Sequence, residues 1–228
     1  LRLKKGEYQY YYLTGDYPNA MNQLHQWRKA DVVDNGTNDG IFMADETDVM
    51  EATILLSLGL TKPAQQLYEK IQNNGRKVSS QSWFYLAQRW FELDHYEAAL
   101  YCMDRIHDNE VDSGTLAETQ YMRATAYLEI GMRKLAKEQI EQMPRYGIWA
   151  GYARHNYILA MFHGNNSGKS LPLLVQEASY FLPKSKEARI LKDRMHLMTA
   201  IHFLNEGDSK TAAELLQEVG LYSPYSSV

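Results

Sequence analysis

The sequence predicts an all-α chain of about twelve helices folded as six antiparallel hairpins. Three observations carry that expectation. Trp83, Leu86, Ala87 and Trp90, then Tyr96, Ala99, Leu100 and Met103, fall at i, i+3, i+4, i+7, one apolar helix face on each side of a tight Leu93-Asp94-His95 turn. A short turn signal recurs at Gly15-Asp16, Gly59-Leu60, Asp94-His95, Gly131-Met132, Asn165-Asn166 and Gly207-Asp208, at intervals of 44, 35, 37, 34 and 42 residues. Five residues after each turn's first residue stands Ala20, Ala64, Ala99, Ala136, Ser170 or Ala212, and seven before it stands Tyr8, Ala52, Ala87, Ala124, Ile158 or Ala200. Small residues at matched positions let paired helices approach closely.

Along the chain, the first hairpin departs from this pattern with Tyr8 and Trp27 at positions that are otherwise small. Between it and the second lies Asp31–Asp45, polar and glycine-bearing before Ile41, Phe42 and Met43, which reads as a loop anchored at one end. Asp45-Glu46-Thr47-Asp48 then reads as a helix start, because carboxylates complement the N-terminal dipole. The third and fourth hairpins keep the pattern. In the fifth, Pro172 is tolerated only in a first helical turn, so a helix beginning near Ser170 is expected. Leu182-Pro183-Lys184 ends one helix and lets the next run longer.

The spacing resembles the tetratricopeptide repeat, a helix-turn-helix unit of about 34 residues. Trp83, Leu86, Ala87, Trp90, Tyr96, Ala99 and Met103 carry the resemblance most fully; Pro224 closes the sixth unit where that repeat favours proline. It implies a right-handed superhelical solenoid of about six such hairpins, forming a single domain over 1–228. A narrower resemblance, to exported bacterial proteins of this family, rests on a tyrosine-rich first helix before Gly15-Asp16-Tyr17 and on Trp83-Phe84-Tyr85-Leu86-Ala87. It implies a periplasmic or envelope-associated location in a Gram-negative bacterium, the cytoplasm being the alternative. The chain reads as a piece of a longer protein, since it lacks an initiator methionine, a signal pattern and a polar closing helix.

Composition narrows the function classes. A formal charge of −4 and a pI near 6.0 disfavour nucleic acid or an anionic membrane as partner. No run reaches the roughly 18–20 apolar residues that span a bilayer. The single Cys102, inside a helix beside Met103, excludes an internal disulfide and a cysteine-built zinc site.

The motifs with a chemical signature fail on spacing. Gly164-Asn165-Asn166-Ser167-Gly168-Lys169-Ser170 ends like a phosphate-binding loop, but three residues separate its glycines where four are needed to wrap phosphates with backbone N–H groups. Asn35–Glu46, counted as a calcium loop, has Asp39, Gly40 and Glu46 at the fifth, sixth and twelfth places. Asn35 and Thr37 at the first and third leave too little ligand charge. Between His155 and His163, and between His196 and His202, no carboxylate stands at helical spacing, and no HExxH is present. No serine or cysteine has a positioned base. The expectation is therefore a non-enzyme without cofactor or metal.

The resemblance implies that first helices line a concave wall. The residues assigned there are Val49, Thr53 and Leu56; Phe84, Gln88 and Phe91; Tyr121, Thr125 and Leu128; Tyr152, His155, Asn156, Leu159 and Phe162; and Arg194, Leu197, Ile201 and Leu204. Of these, Phe84, Gln88, Phe91, Tyr121, Thr125, Tyr152, His155, Asn156, Leu159, Phe162 and Arg194 form the candidate partner-binding groove. Asn156 stands where family members hydrogen-bond a bound peptide backbone, whereas the lysine–asparagine–arginine set of the carboxylate-clamp class is absent. Two readings of the lining stay open: an aromatic groove that takes a helical or extended segment of another protein, or side chains packed against neighbouring helices in a tight superhelix. The first makes the chain an interaction scaffold or adaptor. The second suits a structural spacer in an envelope machine for polysaccharide or pilus export.

Overall fold

A computed structural model describes the backbone of residues 2–34, 39–74, 78–162, 171–180 and 182–226, and side chains within 7–29, 46–72, 78–161, 171–180 and 182–226. Among these residues the fold is all-α, with twelve α-helices and no strand. They are α1 (Arg2–Leu13), α2 (Tyr17–Asp34), α3 (Asp39–Ser57), α4 (Thr61–Asn74), α5 (Ser80–Glu92), α6 (Tyr96–Met103), α7 (Ser113–Glu129), α8 (Arg133–Gln142), α9 (Ile148–Phe162), α10 (Leu171–Tyr180), α11 (Lys186–Asn205) and α12 (Ser209–Gln217). A short 3-10 turn, Asp108–Glu110, precedes α7. The chain divides into two compact units, Leu1–Thr115 and Leu116–Val228, the division falling in the first turn of α7.

The five described turns share one geometry. At Gly131 the N–H donates to Leu128 O (3.0 Å) and the N–H of Met132 reaches back to Tyr127 O (2.7 Å). At Asp94 the same pair runs to Phe91 O (3.1 Å) and from His95 to Trp90 O (2.9 Å), and it recurs at Gly15, Gly59 and Gly207. This is the Schellman closure, which satisfies carbonyls orphaned at a helix end and puts one residue in the left-handed region. Glycine meets that demand without steric cost; Asp94, at φ 61°, is the one non-glycine that does so among the described residues, and its carboxylate accepts the Tyr96 hydroxyl (2.7 Å). The alanines on either side of the turns, Ala20, Ala64, Ala99, Ala136 and Ala212, then Ala52, Ala87, Ala124 and Ala200, are all completely buried.

In the first unit α1 pairs with α2, α3 with α4 and α5 with α6, while α3 also packs on α2 and α5. The large residues at small positions find each other here: Tyr8 stacks on Trp27 with ring centres 5.5 Å apart. Of the loop expected over 31–45, residues 31–34 and 39–45 are helical instead, because α2 runs to Asp34 and α3 begins at Asp39, while 35–38 lie outside the described residues. Asp45–Asp48 therefore lies two turns inside a helix and does not start one. Glu46 and Asp48 are buried, and each is held by hydrogen bonds or ion pairs. Asp48 meets Arg28 (2.6 Å) and Lys70 (2.7 Å). The Glu46 carboxylate accepts from the Ser79 N–H (2.8 Å), the Ser79 hydroxyl (2.7 Å) and the Ser82 hydroxyl (2.6 Å), tying α3 to the N-terminus of α5. Ser79 in turn caps α5 by accepting from the Ser82 N–H. Cys102 is a free thiol buried in α6, and that burial pushes its pKa well up, so it is an inert apolar residue.

In the second unit α9 packs on α8, α10 and α11, and α11 on α10 and α12. α10 begins at Leu171, so Pro172 occupies its first turn, where a missing N–H costs nothing. After the bend at Leu182-Pro183-Lys184, Ser185 caps α11 by accepting from the Ala188 N–H (3.1 Å), and α11 then runs for 20 residues. No helix among the described residues is long and apolar enough to cross a membrane.

Candidate functional site

The first unit buries most of its assigned lining. Val49, Thr53 and Leu56 on α3 are buried, as is Phe84 on α5, whose ring lies against Tyr85. Gln88 and Phe91 are half-buried, Phe91 meeting the edge of Tyr96. Helices α1 and α5, two hairpins apart in sequence, meet directly: Tyr12 packs on Tyr85 (5.4 Å), and Arg89 Nε donates to the Tyr12 hydroxyl (3.0 Å).

The second unit keeps a more accessible row. Tyr121 of α7 and Trp149 and Tyr152 of α9 form a half-buried aromatic trio with centres 5.2, 6.1 and 6.2 Å apart. Tyr152 also donates its hydroxyl to the Glu187 carboxylate of α11, and this charge-assisted bond, with burial, pushes the phenol pKa up to about 12. One turn along, Asn156 Nδ2 donates to Thr125 Oγ1 (3.2 Å), while Asn156 Oδ1 faces Nδ1 of His155 (3.1 Å). That pattern assigns the imidazole proton to Nδ1 and leaves Nε2 as a buried acceptor without a partner among the described residues. Thr125 and His155 are buried, Asn156, Leu128 and Leu159 half-buried, and Arg194, Ile201 and Leu204 exposed, while Leu197 is buried. Phe162 ends α9, and its side chain lies outside the described residues.

A cavity of about 400 Å³ adjoins this row, lined by Tyr152, Lys186, Glu187, Ile190, Leu191, Arg194 and Tyr225. Of these, Tyr152 and Arg194 were assigned from the sequence to the partner groove, whereas Lys186, Glu187, Ile190, Leu191 and Tyr225, and Trp149 of the adjoining row, were not. The signal was available: Glu187, Ile190 and Arg194 extend the Arg194–Leu197–Ile201 spacing backwards. A smaller cavity, about 280 Å³, lies among α8, α9 and α10 and is lined by Lys137, Arg154 and Glu177 among others.

The other motif positions are accounted for as follows. Gly164–Ser170, with His163, lies outside the described residues, as do Asn35 and Thr37; Asp39, Gly40 and Glu46 lie within α3. Among the described residues no three His, Cys, Asp or Glu side chains cluster in a way that could hold a metal.

His155 makes the second unit sensitive to acid. Burial lowers its pKa below the ordinary 6.5 and the Arg194 charge pushes the same way, against the Asn156 hydrogen bond. His196 is lowered as well, by burial first and then Lys192, against the pull of Glu218 and Asp193. The folded state thus binds fewer protons than the unfolded chain just below 6.5, so stability is full above that value and falls as pH drops through it. Urea midpoints followed by fluorescence between about pH 5.5 and 7.5 should show this fall, and His155→Gln should flatten it. An unchanged slope in that variant would remove His155 from the account.

No family model matches the chain, and no curated protein matches it in sequence.

Proposed function

We propose that the chain is a non-catalytic interaction adaptor of tetratricopeptide type, which binds a segment of another protein along the face shared by α7, α9 and α11. The observation that carries this reading is the Tyr121–Trp149–Tyr152 row, half-buried and continued by the Asn156 amide on one side and Glu187 on the other. Aromatic rings supply contact area at little entropic cost, and half-buried amides fix the register of a bound backbone. The finer architecture, a right-handed solenoid, is supported by the repeated turn geometry and its flanking alanines. The same reading takes over the periplasmic or envelope location from the resemblance of Gly15-Asp16-Tyr17 and Trp83–Ala87.

A spacer without a ligand is the second reading, and the first unit favours it: Val49, Thr53 and Leu56 are buried there, and α1 reaches α5 through Tyr12 and Arg89.

Selection of a random displayed-peptide library on the intact chain tests the adaptor. Enriched peptides should lose about 30-fold or more in affinity when Tyr121, Tyr152 and Asn156 are changed together to Ala, a loss typical of interface anchors. Circular dichroism must show the helices intact. Peptides that hold on to the triple variant would move the site elsewhere, and a selection that enriches nothing would leave the spacer.

A further inference from the structure

We propose that the cavity between α9, α11 and the C-terminal turn recognises an acidic stretch of the partner: an extended segment with two carboxylates about four residues apart around an apolar or aromatic side chain. This rests on the adaptor reading and assigns its chemistry.

The geometry of α11 sets the pattern. Lys186, Ile190 and Arg194 follow one another at four-residue steps on one face of the helix, so the two cations sit about 12 Å apart along its axis. Extended chain advances about 3.3–3.6 Å per residue, so carboxylates three to four residues apart reach both. Between the cations the surface is apolar: Leu191 is buried, Ile190 half-buried, and the rings of Tyr152 and Tyr225 stand at the sides.

The charges are also unspent. Lys186 and Arg194 are exposed and have no ion pair or hydrogen bond among the described residues. Several other long cations are engaged: Arg28 with Asp48 and Glu51, Lys70 with Asp48, Arg89 with Glu92, and Lys192 with Glu218. Lys184, Arg189 and Lys210 are, like these two, unpaired among the described residues but line no cavity with a second cation. The one carboxylate in the lining, Glu187, is drawn toward Tyr152 by its hydroxyl, leaving two cations facing outward against a single oriented anion. In a chain of net charge −4 this is a local reversal of sign. It selects a short acidic segment, because a long polyanion would meet the negative remainder of the surface. The apolar floor makes the central side chain of the segment part of the recognition.

The test uses the intact chain and fluorescein-labelled Gly-Glu-Ala-Phe-Ala-Glu-Gly, its counterpart with lysines for both glutamates, and a third peptide with alanine for phenylalanine. Fluorescence anisotropy at low salt should show the acidic peptide binding at least about tenfold tighter than the lysine one, with the alanine peptide weaker than its parent. Lys186→Glu combined with Arg194→Glu turns two attractions into repulsions and should invert the preference between acidic and basic peptides, while the exposed positions leave the melting curve unchanged. Equal binding of both peptides, an acidic preference that survives the double reversal, or full displacement by free glutamate or inorganic phosphate would each overturn the proposal. Failure here is separable from failure of the adaptor. Library peptides that depend on Tyr121, Tyr152 and Asn156 but not on Lys186 and Arg194 keep the adaptor and reject acidic recognition. Peptides that depend on neither set reject both.

Discussion

Replacing Trp90 with alanine should destabilise the first unit by about 3–5 kcal/mol, the range for deleting a buried indole. The ring is completely buried on α5, with the Tyr68 ring of α4 at 5.5 Å and the His95 ring of the following turn at 5.2 Å, both edge-on. Truncation therefore removes the transfer energy of the indole and opens a hole where α4, α5 and the turn meet. The His95 side of that hole is held by a Schellman closure in which Trp90 O itself accepts from His95 N. Trp90→Phe is the informative companion. The indole Nε1 is buried with no hydrogen-bond partner among the described residues, so phenylalanine removes an unsatisfied donor along with part of the volume. The two effects oppose each other, and the net cost should be about 1–2 kcal/mol. Urea unfolding followed by helical circular dichroism measures both variants. If Trp90→Ala shifts the transition by under about 1 kcal/mol, the ring is not a keystone of this interior.

Glu46→Ala should cost about 2–3 kcal/mol, although a plain reading of the sequence would make it a surface change. Its carboxylate receives a backbone N–H and two hydroxyls at the point where α3 meets the start of α5. Losing it leaves the Ser79 N–H without its acceptor and weakens the cap that Ser79 provides. Glu46→Gln should cost about 1 kcal/mol, because one amide oxygen can still face the Ser79 N–H while the serine hydroxyls rotate to accept from the amide. A double-mutant cycle between Glu46→Ala and Ser82→Ala checks the origin of the loss. Coupling above about 0.5 kcal/mol is expected, and simple additivity would mean that the contact contributes nothing beyond solvation.

These two residues show why some of the fold was legible in the sequence and some was not. Trp90 lies in an apolar stripe with period 3.6, and the turn beside it obeys a steric rule that glycine announces at Gly15, Gly59, Gly131 and Gly207. Asp94 was readable there because its place among those turns was already known. Glu46 obeys no such rule. Acidic residues in sequence suggest a helix start, and only the partners, one hairpin further on at Ser79 and Ser82, reveal that the carboxylate points inward. A trace of this was present, since Glu46, Val49, Met50 and Thr53 share the buried spacing of α3. The polar stretch at 31–45 misled for a related reason: asparagine, aspartate and glycine favour loops locally, but α2 and α3 carry helix to Asp34 and from Asp39. Whether lining residues are buried depends on which helices meet beyond the nearest pair. The Tyr12–Arg89 contact bridges 77 residues, a distance at which periodicity is silent. Asn156 was a candidate because the resemblance marks its position; its bond to Thr125 and the unpaired buried nitrogen of His155 among the described residues required coordinates.

Cys102 gives these energies an internal clock. It is the only thiol in the chain, it is completely buried, and its raised pKa removes the thiolate that alkylating reagents attack. Its labelling rate therefore reports how far the interior around α6 opens, as the population of opened forms wherever reclosing outruns the reagent. A mass shift after a timed pulse of reagent reads that opening in the unaltered protein, with no dye, tag or substitution in the hairpin being watched.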